Sequence, residues 1–458
     1  MSEQLSGFER VLRQREVLTL SFGAMIGWSW IMMTGFWVDQ AGSIGVLLAF
    51  LVGGITVLFI ALTYAELVTA MPRAGGEHVY THRALGATPS FVCTWALLMA
   101  YTTVCLFESV ALPEAVSYLV PAVRFGELWT IQDYPVDVGF LLIGVGGAIV
   151  MTVINVLGIK MAAFVQTVVT MVILASGIVL FTGAGLNGEG AHLEPMFGLG
   201  TSGWLKVLVM VPVLLVGFDV IPQAAEELAV PLKRLGWLLV FSVALAVLWY
   251  GVISFAAATA MPRADFAVTS MSSGDAAAAL WRHPVAGAIL VIGGIGGILT
   301  SWNAFIIGGS RLMFALANSG FLPKKFGELH PRFHTPWLAV VVIGVLSCLS
   351  PFFGRTILVW FINAGSFGTV LAYIFVPIAF LALRAKEPEM LRPYRLKYGR
   401  TVGTIAIVLG VGLFILFFPP FDSALGTPEW VIISLWSCVG IVFYTMFGRK
   451  LASQEGRR

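Results

Sequence analysis

Long apolar runs separated by short polar breaks fill this chain. Twelve of the runs reach or approach the roughly 20 apolar residues that a membrane-crossing helix needs. They predict spans over 17–39, 43–70, 88–120, 136–157, 162–184, 204–229, 236–260, 285–318, 337–353, 357–383, 402–420 and 428–447. Two runs are interrupted in the middle. Leu18-Thr-Leu-Ser-Phe-Gly-Ala-Met-Ile-Gly-Trp-Ser-Trp-Ile31 breaks around Gly23 and Gly27, and Val211-Pro-Val-Leu-Leu-Val-Gly-Phe-Asp-Val-Ile-Pro222 breaks around Gly217, Asp219 and Pro222. These runs open the first and the second set of five spans. Backbone groups freed at membrane depth are tolerated only beside a cavity or against protein. Paired breaks at corresponding positions therefore point to a solute site of the kind secondary transporters carry.

Five is an odd number of spans, so two consecutive five-span units lie upside down relative to each other in the membrane. The expected fold is all-α: twelve transmembrane helices in a 5+5 inverted repeat, with spans 1 and 6 broken and two extra C-terminal helices. The expected units are a cytoplasmic segment at 1–16, the first repeat at 17–184, the second at 204–383, spans 11 and 12 at 402–447, and a cytoplasmic tail at 448–458. Phe8, Val11 and Leu12 beside Arg13 and Arg15 suit an interfacial amphipathic turn. The loop from Met71 to Tyr80 is rich in turn formers. Longer loops lie near 121–135, 185–203 and 261–284, and Ser270–Leu280 in the last suits a short external helix.

Composition agrees with a membrane protein. Of 458 residues 58% are hydrophobic and only 11% charged, with mean hydropathy +0.92; soluble domains carry about 25% charged residues. Arg124, Lys206, Arg263, Arg282 and Arg355 fall on one side of the predicted membrane and the other 22 Lys and Arg on the opposite side. Basic residues concentrate on the cytoplasmic side, so both termini are expected in the cytoplasm of a cytoplasmic-membrane protein. The net charge of +3 is then a topology signal and does not imply a nucleic-acid partner. Cys93, Cys105, Cys348 and Cys438 lie in apolar spans and are expected to be small buried hydrophobes. The first apolar run passes straight into further spans and does not resemble a cleaved signal peptide.

Ionisable groups inside spans are costly and mark function. Glu66, Glu108, Glu114, Asp219, Glu226 and Glu227 lie there, with Arg311 as the basic counterpart. Glu66 stands at the end of span 2, within reach of a loop arginine such as Arg73, and Glu114 near the outer end of span 3. Glu108 is deep in span 3, and Asp219 is in the second break. Glu108, Asp219 and Glu226 are therefore candidates for holding an ammonium, a proton or a sodium ion. Half-helix ends add amides for a carboxylate and carbonyls for a cation. Trp28, Phe218 and Trp302 are aromatic candidates for shaping the pocket. The candidate site comprises Gly23, Ile26, Gly27, Trp28, Ser29, Gly217, Phe218, Asp219 and Trp302. The histidines are expected in loops, and Pro331 disfavours a metal pair at His330 and His334. No catalytic constellation, metal site or cofactor motif stands out. Gly293-Gly-Ile-Gly-Gly297 in span 8 suits close helix packing.

Several of these segments together resemble the amino acid–polyamine–organocation transporters, whose fold is the LeuT-type inverted repeat. Gly23-Ala-Met-Ile-Gly-Trp-Ser-Trp-Ile31 is similar to that family's G-x-x-I-G-x-G-I-F. Tyr64-Ala-Glu-Leu67 followed by Pro72-Arg-Ala-Gly-Gly-Glu-His-Val-Tyr80 is similar to its Y-A-E-L…P-x-x-G-G-x-Y-x-Y. Gly217-Phe-Asp219 with Ala225-Glu226-Glu227, and Gly309-Ser-Arg-Leu-Met-Phe-Ala-Leu-Ala317 with Gly320-Phe-Leu-Pro323, also match. The likeness covers about residues 15–385. It implies alternating access and an amine-bearing substrate held at Ile26–Ser29 and Gly217–Val220. Two departures are informative. Ser29 replaces a glycine between bulky Trp28 and Trp30, which points to a small substrate or an amine without a carboxylate. Val165–Leu180 lacks the lysine that some proton-coupled relatives carry in helix 5.

The expected activity is secondary transport of an amino acid or small organic amine, cation-coupled or by exchange. An amine- or polyamine-specific permease is the alternative within this class, and a non-transporting amine sensor or a channel the alternatives outside it. No enzymatic activity is expected. The expected partners are the small-molecule substrate, membrane lipid and a coupling H+ or Na+.

Overall fold

The computed structural model describes residues 8–131, 134–269 and 271–448. The first broken run folds as α1 (Gln14–Met25), α2 (Ser29–Met32) and α3 (Thr34–Ala41). Then come α4 (Ser43–Ala70), α5 (Gly76–Leu85), α6 (Ala87–Leu119), α7 (Val138–Val156) and α8 (Ile159–Asn187). The second broken run gives α9 (Gly200–Leu208), α10 (Val211–Leu214) and α11 (Val220–Gln223). The remainder is α12 (Leu232–Ala258), α13 (Ser272–Trp281), α14 (Pro284–Asn318), α15 (Trp337–Leu349), α16 (Ile357–Lys386), α17 (Gly399–Ile415) and α18 (Thr427–Phe443).

Among the described residues, eight stretches are long and apolar enough to cross a membrane: α4, α6, α7, α8, α12, α14, α16 and Thr427–Gly448. The other four expected spans differ in a physical way. Spans 1 and 6 are broken, and spans 9 and 11 are short apolar helices at Trp337–Phe353 and Gly399–Ile415.

The core is built by helix pairs. α4 packs along α12, α6 along both α14 and α16, α8 along α14, and α7 along α15. α6 and α14 are the most enclosed of the spanning helices, at 83% and 67% of their apolar windows. Close approach in α14 comes from its glycines. A Cβ on Gly294 would strike Trp28, one on Gly296 would lie 3.0 Å from Val169, and one on Gly297 would lie 2.5 Å from the Gly27 carbonyl.

Several expectations need correction. The 71–80 segment is not wholly a loop: it enters α5, which carries His78 and His82. His283 is an N-cap, its ring accepting the Val285 amide. The 121–135 loop leads into an antiparallel hairpin of β1 (Glu127–Ile131) and β2 (Tyr134–Asp137). Cys438 is exposed on the outside of α18 and Cys348 is half-buried. Glu66 does pair with a loop arginine, but this is Arg392 at 3.1 Å and not Arg73, and Arg384 of α16 joins it at 2.5 Å. Leu12 does not lie in an amphipathic turn. It is fully buried, and the Val11 and Leu12 amides donate to the Glu227 carbonyl. The external helix expected from Ser270 begins at Ser272, Ser270 itself lying outside the described residues. Of the expected terminal segments, residues 1–7 and 449–458 also lie outside them.

Candidate functional site

The first break is held open by side chains from other helices. α1 ends at Met25, the chain is unwound over Ile26–Trp28, and helix resumes at Ser29. The Tyr250 hydroxyl of α12 donates to the Met25 carbonyl at 2.7 Å and lies 3.1 Å from Ser29 Oγ. It thus spans both ends of the break. Ser273 and Ser272 of α13 donate to the carbonyls of Trp30 and Met32 at 2.6 and 3.0 Å.

The second break runs over Leu215–Asp219. Gly217 has φ +134°, a conformation that side-chain-bearing residues rarely adopt. A Cβ there would lie 2.7 Å from Ala24 Cβ and 2.9 Å from the Met25 amide nitrogen. The two breaks therefore touch, backbone to backbone. Asp219 Oδ1 accepts the Gly217 amide at 2.8 Å, which fixes the turn.

A cavity lies beside this crossing. Its polar groups are Ser29, Thr103, Glu108, Tyr250 and Ser301, and its apolar wall includes Phe107, Phe305, Phe361, Val213 and Leu214. Glu108 is buried and accepts a hydrogen bond from the Ser301 hydroxyl. A Cβ on Gly27 would lie 2.9 Å from Glu108 Oε1, so the carboxylate rests against the unwound backbone. Glu108 Oε2 has no hydrogen-bond partner among the described residues. A single carboxylate in an apolar wall beside unwound backbone is suited to an ammonium group.

Of the residues expected at the site, Gly27, Trp28, Ser29 and Glu108 line the cavity. Ile26 and Gly217 shape the breaks without lining it. Gly23 is helical and packs against Gln166 and Thr170 of α8. Trp302 is fully buried and turns toward Gly147 of α7. Phe218 packs against Tyr64 and Tyr373, with ring centroids 5.3 and 5.6 Å away. Glu226 sits half-buried beside Glu227, and Glu227 is paired with Arg311. The two tryptophans flanking Ser29 do not crowd it: Trp28 packs on Gly294 of α14, and Trp30 meets Trp249 edge-on at 5.4 Å.

Tyr250 and Ser301 were not singled out from sequence, because a lone hydroxyl in an apolar span carries no signal of its direction. The same holds for Glu77 and Gln223, which contact each other beneath the second break. Their neighbour His78 is buried. Its Nε2 lies 2.7 Å from Ser319 Oγ and its Nδ1 3.0 Å from Thr94 Oγ1 and from Ser90 Oγ. Burial pushes its pKa down to about 3, so the ring is neutral.

A model of the family described as amino acid permease matches residues 12–444. The chain belongs to that family. This permease is 26% identical to the branched-chain amino acid permease BcaP of Bacillus subtilis (strain 168), over 96% of its own length and 94% of the relative's. It is 24% identical to the methylthioribose transporter of the same organism, over 96% and 94% of the two chains. Similarity to the serine/threonine exchanger SteT of that organism is 26% over 74% and 76%. The permease is thus an integral membrane transporter and not an enzyme, in agreement with the resemblance seen in its sequence.

Proposed function

We propose that this permease is a secondary transporter that carries an amino acid with an apolar side chain across the cytoplasmic membrane by alternating access. The observation that carries the proposal is Glu108, resting against the unwound first break in a cavity walled by Phe107, Phe305 and Phe361. The substrate ammonium meets Glu108 and the carbonyls of the break. The carboxylate meets backbone amides of the unwound first break. The side chain fills the aromatic wall. With the Trp28 and Trp30 indoles turned onto other helices, Ser29 leaves room for that carboxylate. The likeness to a branched-chain amino acid permease favours the same substrate class.

The helix pairing supports the 5+5 repeat. Moving each of the ten spans five places on turns the α6–α16 pair into the α14–α8 pair and the α6–α7 pair into α14–α15, while α4–α12, α6–α14 and α7–α15 map onto themselves. Spans at 17–184 and 204–383 then form the two inverted units. The end carrying Arg384, Lys386 and Arg392 is the cytoplasmic one, with both termini on that side. Transport is coupled to a cation, with Glu108, Asp219 and Glu226 as sequence candidates for its site.

The test is thermal stabilisation of the purified protein by a panel of amino acids, diamines and methylthioribose, since a ligand that binds only the folded state raises its stability. Leucine, isoleucine and valine are expected to stabilise most. Stabilisation by amines lacking a carboxylate, and not by these amino acids, would overturn the reading.

A further inference from the structure

Outside the cavity, toward the basic end, the structure buries a pair of carboxylates. The start of α5 is pressed onto α11. The Gly75 amide donates to the Gln223 carbonyl at 3.2 Å, and a Cβ on Gly76 would lie 2.7 Å from that of Pro222. Asp219 and Gln223 are four residues apart and share one face of that turn. The Gln223 side-chain amide contacts Glu77 Oε2. Glu77, Asp219 and Gln223 are each 0% exposed. Glu77 Oε1, Asp219 Oδ2 and Gln223 Oε1 lack a hydrogen bond of good geometry among the described residues. The Tyr64 hydroxyl faces Glu77, and those of Tyr101 and Tyr373 face Asp219.

The basic groups on the surrounding helices are engaged elsewhere. Arg311 of α14 is paired with Glu227, Arg83 of α5 with Glu387 and Arg384 of α16 with Glu66, while Lys386 of α16 donates to the Ala84 carbonyl at the end of α5. His78 is neutral and lies against His82. The remaining ionisable groups around Glu77 are Asp219, Tyr64, Tyr80, Cys93, Tyr101 and Tyr373, none of them basic. Burial first, then repulsion from Asp219, holds the Glu77 carboxyl well above its usual range. Two carboxylates buried together with no basic side chain beside them do not both ionise; they share a proton.

We infer that Glu77, Asp219 and Gln223 form a binding site for one proton, reached from the cytoplasmic end, and that this proton is the coupling ion of transport. The site is a proton site because the Glu77 and Gln223 side chains are already in contact, and a metal cation would have to part them. The proton adds to one carboxylate oxygen as O–H and returns to water when that bond breaks. Its loss leaves two negative charges facing each other across the α5–α11 contact, which drives those elements apart. Asp219 also holds the Gly217 amide, and Gly217 touches Met25, the last residue of α1 before the first break. The charge of the pair thus acts on the crossing beside the cavity. The coupling half of this inference rests on the transporter reading; the proton site does not.

Two measurements test it. Infrared spectroscopy of the purified protein is expected to show a carboxylic-acid carbonyl band that persists at pH 7, disappears in Glu77→Gln, and titrates at lower pH in Asp219→Asn. A band unchanged in both variants overturns the site. In liposomes loaded with a pH dye, leucine uptake by the wild type is expected to move protons and to speed up several-fold under an inward proton gradient. Glu77→Gln is expected to lose both responses while keeping leucine-for-leucine exchange, and Glu77→Asp to regain part of them. A Glu77→Gln variant that keeps the gradient response overturns the coupling. If Glu77→Gln does not fold, the Asp219→Asn band decides. A wild type with the band but no amino acid uptake would uphold the proton site and overturn the transport reading.

Discussion

Arg311 and Glu227 meet at 2.8 Å with both side chains 2% exposed, joining the C-terminal part of α14 to the end of the second broken run. The pairing is two-pronged: Arg311 Nε donates to one carboxylate oxygen at 2.8 Å and a terminal nitrogen to the other at 3.1 Å. The Glu227 carbonyl also receives the amides of Val11 and Leu12, so the start of α1 is tied to the same point. Removing one partner leaves an uncompensated buried charge, which costs about 3–5 kcal/mol. Arg311→Met and Glu227→Gln are each expected to lower the unfolding temperature in detergent sharply, and the double variant to recover much of the loss. Unchanged thermal unfolding in either single variant would show that the pair does not brace the fold.

Gly217 offers a test of the contact between the breaks. Alanine there meets an unfavourable φ and the backbone of Met25 together. Strain of this kind costs about 1–3 kcal/mol. Gly217→Ala is expected to fold with reduced stability and to lose leucine-induced stabilisation, because the second break must shift away from the first. Normal leucine binding by the variant would mean the crossing is not part of the site.

Glu108 should carry the ammonium. A hydrogen bond to a charged group contributes about 1.5–3 kcal/mol, equivalent to a roughly tenfold to hundredfold change in affinity. Glu108→Gln keeps the Ser301 contact possible and removes the charge. Its leucine affinity, from the concentration dependence of thermal stabilisation, is expected to fall by that factor with the ligand-free unfolding temperature nearly unchanged. An equal affinity would place the ammonium elsewhere.

The breaks were legible because glycine, proline and aspartate interrupt otherwise continuous apolar runs, and Glu108 because a carboxylate deep in a span is conspicuous. The facing of neighbouring residues was not. Ser301 and Trp302 are adjacent on α14, yet the serine faces the cavity and the tryptophan faces α7. Gly23 reads as part of the first break, but α1 runs on past it to Met25. α5 was hidden for a different reason. Its Glu-His-Val-Tyr-Thr-His segment has the polarity of a surface loop, and only packing against α6, α16 and α14 buries it. Gln223 has no charge, so nothing in the chain marks it as the partner of Glu77.

His78 gives a pH prediction with a defined sign. An unfolded histidine titrates near 6.5, whereas burial holds the folded His78 at about 3. Between those values the unfolded chain binds more protons, so stability falls as the pH drops below about 6.5, at a limit of about 1.4 kcal/mol per pH unit for this one group. Above that range both states are neutral and His78 contributes no pH dependence. Glu77 works in the opposite direction: its raised folded pKa gives stability that is present below the usual carboxylate range and is lost as the pH rises. Between pH 6.5 and 5 the two groups oppose each other, so lowering the pH across that window is expected to destabilise His78→Asn less than the wild type, whatever absolute stability is lost with the Ser319 and Thr94 contacts. Glu77→Gln is expected to lose stability more steeply than the wild type as the pH falls through that window, because the opposing contribution of Glu77 is gone. An acid slope in His78→Asn as steep as that of the wild type would assign the loss to another group.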